Sequence, residues 1–302
     1  MIKVLRLSTV AGVALVALAS SAVAQEAPGQ ARAFVEQVAL NSNRDAALAR
    51  WASAICVGVT GLAATEAQAL IDRISARAQA VGLRTGAPGC RANVMVIYAP
   101  DSDALTRQIV EQRRDLLAAD DGRLTAGRDA MEDFASTPRP IRWWHVSSTG
   151  VGSVRLDAAR SRQSSGRTAA AAAAAGGGGV SIGDIGTLTD MQGADAVRSN
   201  GSRTRAEVHN ELTYALIIVD ARRVANVPAG AWMDYVAFNA LTQVDPDGRT
   251  AAFPTILNLF VQGQEPPSGL TSWDTNYLDA LYDARNESAS RQVASIVRRM
   301  GD

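Results

Sequence analysis

The hydrophobic pattern changes period several times along the chain, and each change predicts an element. Ala54–Thr60 is a short β-rich run and predicts a strand. Thr65 to about Val81 predicts a helix, with Leu70, Ile71, Ile74 and Ala78 on one face, Thr65 as its N-cap and Gly82 as its stop. A turn at Gly86–Gly89 leads to Asn93–Tyr98, a nearly continuous apolar run that suits a strand buried on both faces. Strand, helix and strand in this order predict a βαβ unit.

Asp101 and Asp103 offer caps for a helix from Ala104 to about Ala118, which faces inward through Leu105, Ile109, Leu116 and Leu117 and stops at Asp120–Gly122. Ile141–Ser147 and Leu212–Val219 predict two more strands, paired as a hairpin. The connection between them carries an insertion at about 156–201, with an alanine run at Ala169–Ala175 followed by four glycines. A phosphate loop would need a feeding strand and a Lys-Ser/Thr after the glycines, and neither is present, so a flexible low-complexity insertion is expected. Trp232–Val244 predicts a helix with Met233, Ala237, Ala240, Leu241 and Val244 on one stripe. A turn at Asp245–Gly248, the apolar segment Pro254–Phe260 and helices at Ser272–Ala284 and about Ser288–Met300 complete the chain. Before all these, Ala31–Ala49 has only a weak helical pattern, through Phe34, Val38, Leu40 and Leu48.

The expected fold is therefore α/β (α+β): a mixed sheet of about four strands packed with helices. Residues 25–50 form an N-terminal tail or arm, and 51–302 a single domain interrupted by the insertion.

The N-terminus sets the compartment. Lys3 and Arg6 precede the apolar run Val10–Ala19, and Ala22-Val23-Ala24 fits the small-x-small cleavage rule, so a signal peptide cut after Ala24 is expected. Removing 24 of 302 residues leaves 278, with 28 arginines against 30 acidic residues. That balance argues against nucleic acid as a partner. After cleavage no membrane span is expected, and the destination is the periplasm or the exterior. In such a compartment two cysteines, Cys56 and Cys90, favour a disulfide tying two neighbouring strand ends.

Helix, loop, Thr255-Ile256-Leu257 turn and the closing phrase from Leu270 to Tyr282 resemble the C-terminal half of metzincin metallopeptidases. Zinc ligands are implied by that resemblance at two helix positions one turn apart and a third beyond, with a glutamate as base. Here those positions hold Tyr235, Asn239 and Asp245, with Val236 in the glutamate's place. None of those positions holds an imidazole, so no metal and no cofactor is expected. The resemblance implies an exported, non-catalytic protein on a degenerate metallopeptidase-like scaffold, binding a peptide, a glycan or an envelope protein. Trp232, Tyr235, Trp273 and Tyr277, with Asn239, Asp245 and His145, are the candidate binding residues.

The alternative is a metal-independent envelope hydrolase. It would use carboxylates (Asp234, Asp245, Asp274, Asp279) or His145, beside a serine such as Ser147, in a cleft between Trp232–Val244 and the sheet. No nucleophile motif accompanies these groups, and Asp274 with Thr271 also fits a helix cap.

Overall fold

A computed structural model describes residues 29–39, 47–117, 127–151, 208–284 and 289–301. The expected signal peptide and the insertion at 156–201 lie outside the described residues.

Among the described residues five strands make one sheet: β1 (Arg50–Trp51), β2 (Val57–Thr60), β3 (Val94–Ala99), β4 (Ile141–Val151) and β5 (Val208–Asp220). β5 is its axis. One edge of β5 pairs antiparallel with β4, from Ile141 opposite Val219 to Val151 opposite Val208. The other edge is divided, with β1 parallel to it at Glu211 and Leu212 and β3 parallel to it from Ala215 to Asp220. β2 adds outside β3, also in parallel. The predicted mixed sheet, the βαβ unit and the β4–β5 pairing are all present. The fifth strand, β1, is two residues long and leaves no periodic signal.

Side chains alternate across the sheet with the period of the strand. Val94 and Val96 of β3, Ala215, Ile217 and Val219 of β5, and Ile141 and Trp143 of β4 face one core. Met95, Ile97, Leu216, Ile218, Trp144 and Val146 face a second. Helices cover both faces, which is why Val94–Ile97 of β3 and Ala215–Val219 of β5 are apolar without a break. On the first face lie α1 (residues 29–38), α2 (Ala64–Ala80), α6 (Ala229–Leu241), the 3₁₀ turn Ile256–Phe260, α7 (Ser272–Asp283) and α8 (Ala289–Gly301). On the second lie α3 (Ser102–Gln112), the turn Arg114–Leu117 and α4 (Arg128–Ser136). A short α5 (Ala221–Val224) links β5 to α6. Among the described residues no helix is long and apolar enough to cross a membrane.

Local chemistry sets the helix ends. α2 begins at Ala64 after Ala63, with no side-chain cap, so Thr65 lies inside the first turn rather than at the N-cap. Its C-terminus is a Schellman motif: Gly82, at φ +80°, donates to Gln79, and Leu83 donates to Ala78. Asp101 caps α3 through the Ala104 N–H at 3.0 Å, as expected. α3 is shorter than predicted and ends at Gln112. α4 was not predicted, because only Met131 and Phe134 mark its buried face. α6 starts three residues earlier than its apolar pattern and stops at Leu241, because Thr242 is extended. All eleven residues from Ala231 to Leu241 are buried, so the helix is enclosed on every side rather than along one stripe.

Cys56 and Cys90 are disulfide-bonded, with Cα atoms 6.0 Å apart. They immediately precede β2 and approach β3. Asn93 fixes the same corner, accepting from the Cys56 N–H at 2.8 Å and donating to Ala54. Gly86 is required there, since a Cβ would sit 2.4 Å from Cys90 Sγ.

The segment read as an arm belongs to the core. Ala31, Phe34, Val35 and Val38 of α1 are at most 1% exposed. Phe34 makes edge-to-face contacts with Phe253, Trp273 and Tyr277 at centroid distances of 5.3, 5.7 and 5.5 Å. The turn after α6 rests on α1 through Asp245 N–H to Val38 O, at 2.8 Å. Gly248 permits this approach, because a Cβ would lie 2.3 Å from Gln37 O.

Candidate functional site

α6 carries Trp232, Asp234, Tyr235, Val236 and Asn239 of the residues singled out in the sequence, and its C-terminal end accounts for His145. The last carbonyls of a helix have no partners within it. Here there is no terminal glycine motif and no basic residue in the last turn. Distant side chains fill the role. His145 Nε2 on β4 meets Asn239 O at 2.7 Å, Trp51 Nε1 on β1 donates to Ala240 O at 2.8 Å, and Tyr282 Oη on α7 donates to Leu241 O at 2.6 Å. Just beyond, Trp143 Nε1 donates to Val244 O at 2.9 Å.

This cap determines the state of His145. A carbonyl only accepts, so Nε2 carries the proton. Burial disfavours a second proton and lowers the pKa to about 4, against a smaller upward effect of the Asn239 carbonyl. His145 is a neutral donor with its Nε2–H committed. With its Nε2–H on a backbone carbonyl, it serves as a helix cap.

Three of the four positions matched to the zinc ligands and base, Tyr235, Val236 and Asn239, are enclosed. Tyr235 is 7% exposed and packs between Trp143 and Phe260, with centroids 5.9 and 5.2 Å away. Burial raises its phenol far above the usual range. Val236 is fully buried. Asn239 Nδ2 donates to Tyr235 O one turn earlier, and its Oδ1 is buried without a hydrogen-bond donor among the described residues. Asp245 lies in the turn, where its Oδ1 accepts the Asp247 N–H at 2.9 Å. These residues do not fit a zinc ion: none of the three positions supplies an imidazole, and the one carboxylate supports a turn. Among the described residues no group of three or more His, Cys, Asp or Glu side chains is arranged to hold a metal.

The aromatic candidates also face inward. Trp232 is 6% exposed and lies against Tyr98 at 6.0 Å. Tyr277 is 1% exposed, packs on Phe34 and Phe238, and has its phenol pushed up to about 12 by burial. Trp273 is half-buried against Phe34 and Phe253. Large apolar rings adjacent to a sheet gain most by filling the core, and these do so rather than lining a groove.

The aspartates are separated by function. Thr271 and Asp274 form a capping box at the start of α7. Asp274 also accepts from the Ile256 N–H at 2.8 Å and from the Thr255 hydroxyl, which fastens the 3₁₀ turn to α7. Burial nevertheless holds its pKa above the usual carboxylate value, outweighing those hydrogen bonds. Asp279 is exposed on α7. Asp234 is paired with arginine, as described below. The chain's other histidine, His209, lies within β5.

Sequence reasoning missed the C-terminal cap of α6 and the arginines at Asp234. Each joins residues far apart in the chain, 94 positions for His145 with Asn239 and 189 for Trp51 with Ala240. No protein-family model, curated protein or solved structure matches this chain.

Proposed function

We propose that this is an exported, non-catalytic binding protein of the cell envelope, on the frame of a metallopeptidase whose zinc site has been lost. The observation that carries this reading is α6. It is followed by a turn, the Thr255–Leu257 segment and α7, in the order of the metzincin-like phrase. Yet Tyr235, Val236 and Asn239 stand at the positions of the ligands and base, buried and packed. A site that binds and activates water needs open coordination and an acceptor for the water's proton. These side chains supply packing instead. Export, with a signal peptide cut after Ala24, is supported by the disulfide, which forms and persists in oxidising compartments.

Protein recovered from the periplasm tests both parts. Its N-terminus should be Gln25, it should contain substoichiometric zinc, and it should leave a mixed peptide library uncleaved. Stoichiometric zinc with hydrolysis abolished by a chelator would overturn the reading.

A further inference from the structure

A polar cluster that the cap of α6 does not involve lies where α2, α6 and the segment before α7 meet. Asp234 is the sole charged residue of α6 and is only 4% exposed. Its Oδ2 accepts from Arg73 Nη1 at 2.9 Å and from the Leu270 N–H at 3.3 Å. Arg73 Nη1 also donates to Gly230 O at 3.3 Å. Gly269 makes this close approach possible, because a Cβ there would lie 2.8 Å from Oδ2. Arg77 Nη2 is 3.7 Å from Oδ1, beyond hydrogen-bond range, and Oδ1 has no donor among the described residues.

One guanidinium neutralises one carboxylate, yet two converge on Asp234. Arg73 and Arg77 are one helical turn apart, a spacing at which like charges repel. Their side chains are 36% and 37% exposed. With the exposed Ala69 and Ala76 they line a shallow hollow of about 340 Å³. The cluster therefore offers solvent one uncompensated positive charge, with the Arg73 head held in place from beneath by a buried carboxylate and the Arg77 head beside it, within ion-pair distance. Planar guanidinium groups match a carboxylate's two oxygens, and pre-placed heads lose less side-chain entropy on binding. The two alanines leave room for a main chain to lie close to α2.

We propose that Arg73 and Arg77 form a carboxylate-binding site for an acidic peptide. The site gives the proposed binding function its ligand chemistry, and so rests on that reading.

The test uses the mature, disulfide-intact protein and a fluorescent hexapeptide containing two glutamates, with a glutamine version as control, at low ionic strength. Fluorescence anisotropy should show saturable binding of the glutamate peptide alone. Arg77→Gln, which removes no hydrogen bond to Asp234 and should fold normally, should weaken binding roughly tenfold. Arg73→Gln should do the same if circular dichroism shows it folded. Arg84→Gln removes an equal charge just beyond α2 and should change affinity less than about twofold, as expected for a screened, distant charge. Equal binding of the two peptides, equal loss in Arg84→Gln and Arg77→Gln, or stronger binding of an oligogalacturonate than of the peptide would overturn the site. Mass analysis of the recovered peptide separates the two proposals. An intact peptide that does not bind defeats only this site, whereas a cleaved one defeats the non-catalytic reading and leaves the arginine dependence to stand on its own.

Discussion

Replacing His145 with glutamine isolates a single ionisation in the protein's acid stability. Glutamine keeps a side-chain N–H able to reach Asn239 O but does not titrate. In the folded protein the imidazole's pKa is lowered from 6.5 to about 4. The unfolded chain therefore binds the extra proton more readily, and the stability from keeping His145 neutral is fully present above about pH 6.5. It falls as the pH drops through the window from 6.5 to 4 and is exhausted below it. At about 1.4 kcal/mol per pH unit, that window corresponds to roughly 3 kcal/mol. Urea unfolding with the disulfide intact, at pH 7.5, 6, 5 and 4, measures it. Wild type should lose about 3 kcal/mol relative to His145→Gln across the series. At pH 7.5 the variant should be less stable by about 1 kcal/mol, reflecting a poorer hydrogen bond. Shifted carboxylates such as Asp103 and Asp274 do not blur the comparison. Asp103, held low by Arg223, and Asp274, held high by burial, are present in both proteins and cancel in the difference. Parallel stability curves for the two proteins would refute a buried neutral histidine at the end of α6.

The other donors at that helix end give a matching result. Trp51→Phe should leave Ala240 O buried without its donor and cost about 1–3 kcal/mol in chemical unfolding. Tyr282→Phe should cost a similar amount through Leu241 O, and the double variant should fall short of the sum, since both donors serve one terminus. The disulfide closes a segment with a sequence separation of 34, so the double substitution Cys56→Ser, Cys90→Ser should lower unfolding free energy by roughly 3.5–4 kcal/mol. An unchanged denaturation midpoint would show that the unfolded chain is not appreciably restrained by the bridge.

Much of the architecture was legible because its causes are local. Apolar runs such as Val94–Ile97 specify strands buried on both faces, and the Thr271/Asp274 box specifies a helix start. The disulfide followed from an even cysteine count in a chain whose first residues lead one to expect export. The candidate site was not legible, for a physical reason. Tryptophan, tyrosine and histidine have both an apolar body and a polar tip, and pattern alone does not say which one decides their place. At Trp51, His145 and Tyr282 the body is buried and the tip caps a helix whose sequence shows no terminal signal of its own. Asp234 posed the same difficulty: its arginines are about 160 residues earlier in the chain, and its burial is a property of the assembled layers.

The divided edge of β5 also orders the assembly of the molecule in time. β1, β3 and β4 all pair directly with β5, and β2 reaches it only through β3. A chain synthesised from its N-terminus therefore holds just the β2–β3 pair of this sheet until residues 208–220 have emerged. Three of the sheet's four pairings then become available together, across long sequence separations that make closure slow. Until that last third is made, both cores lack the strand they close against.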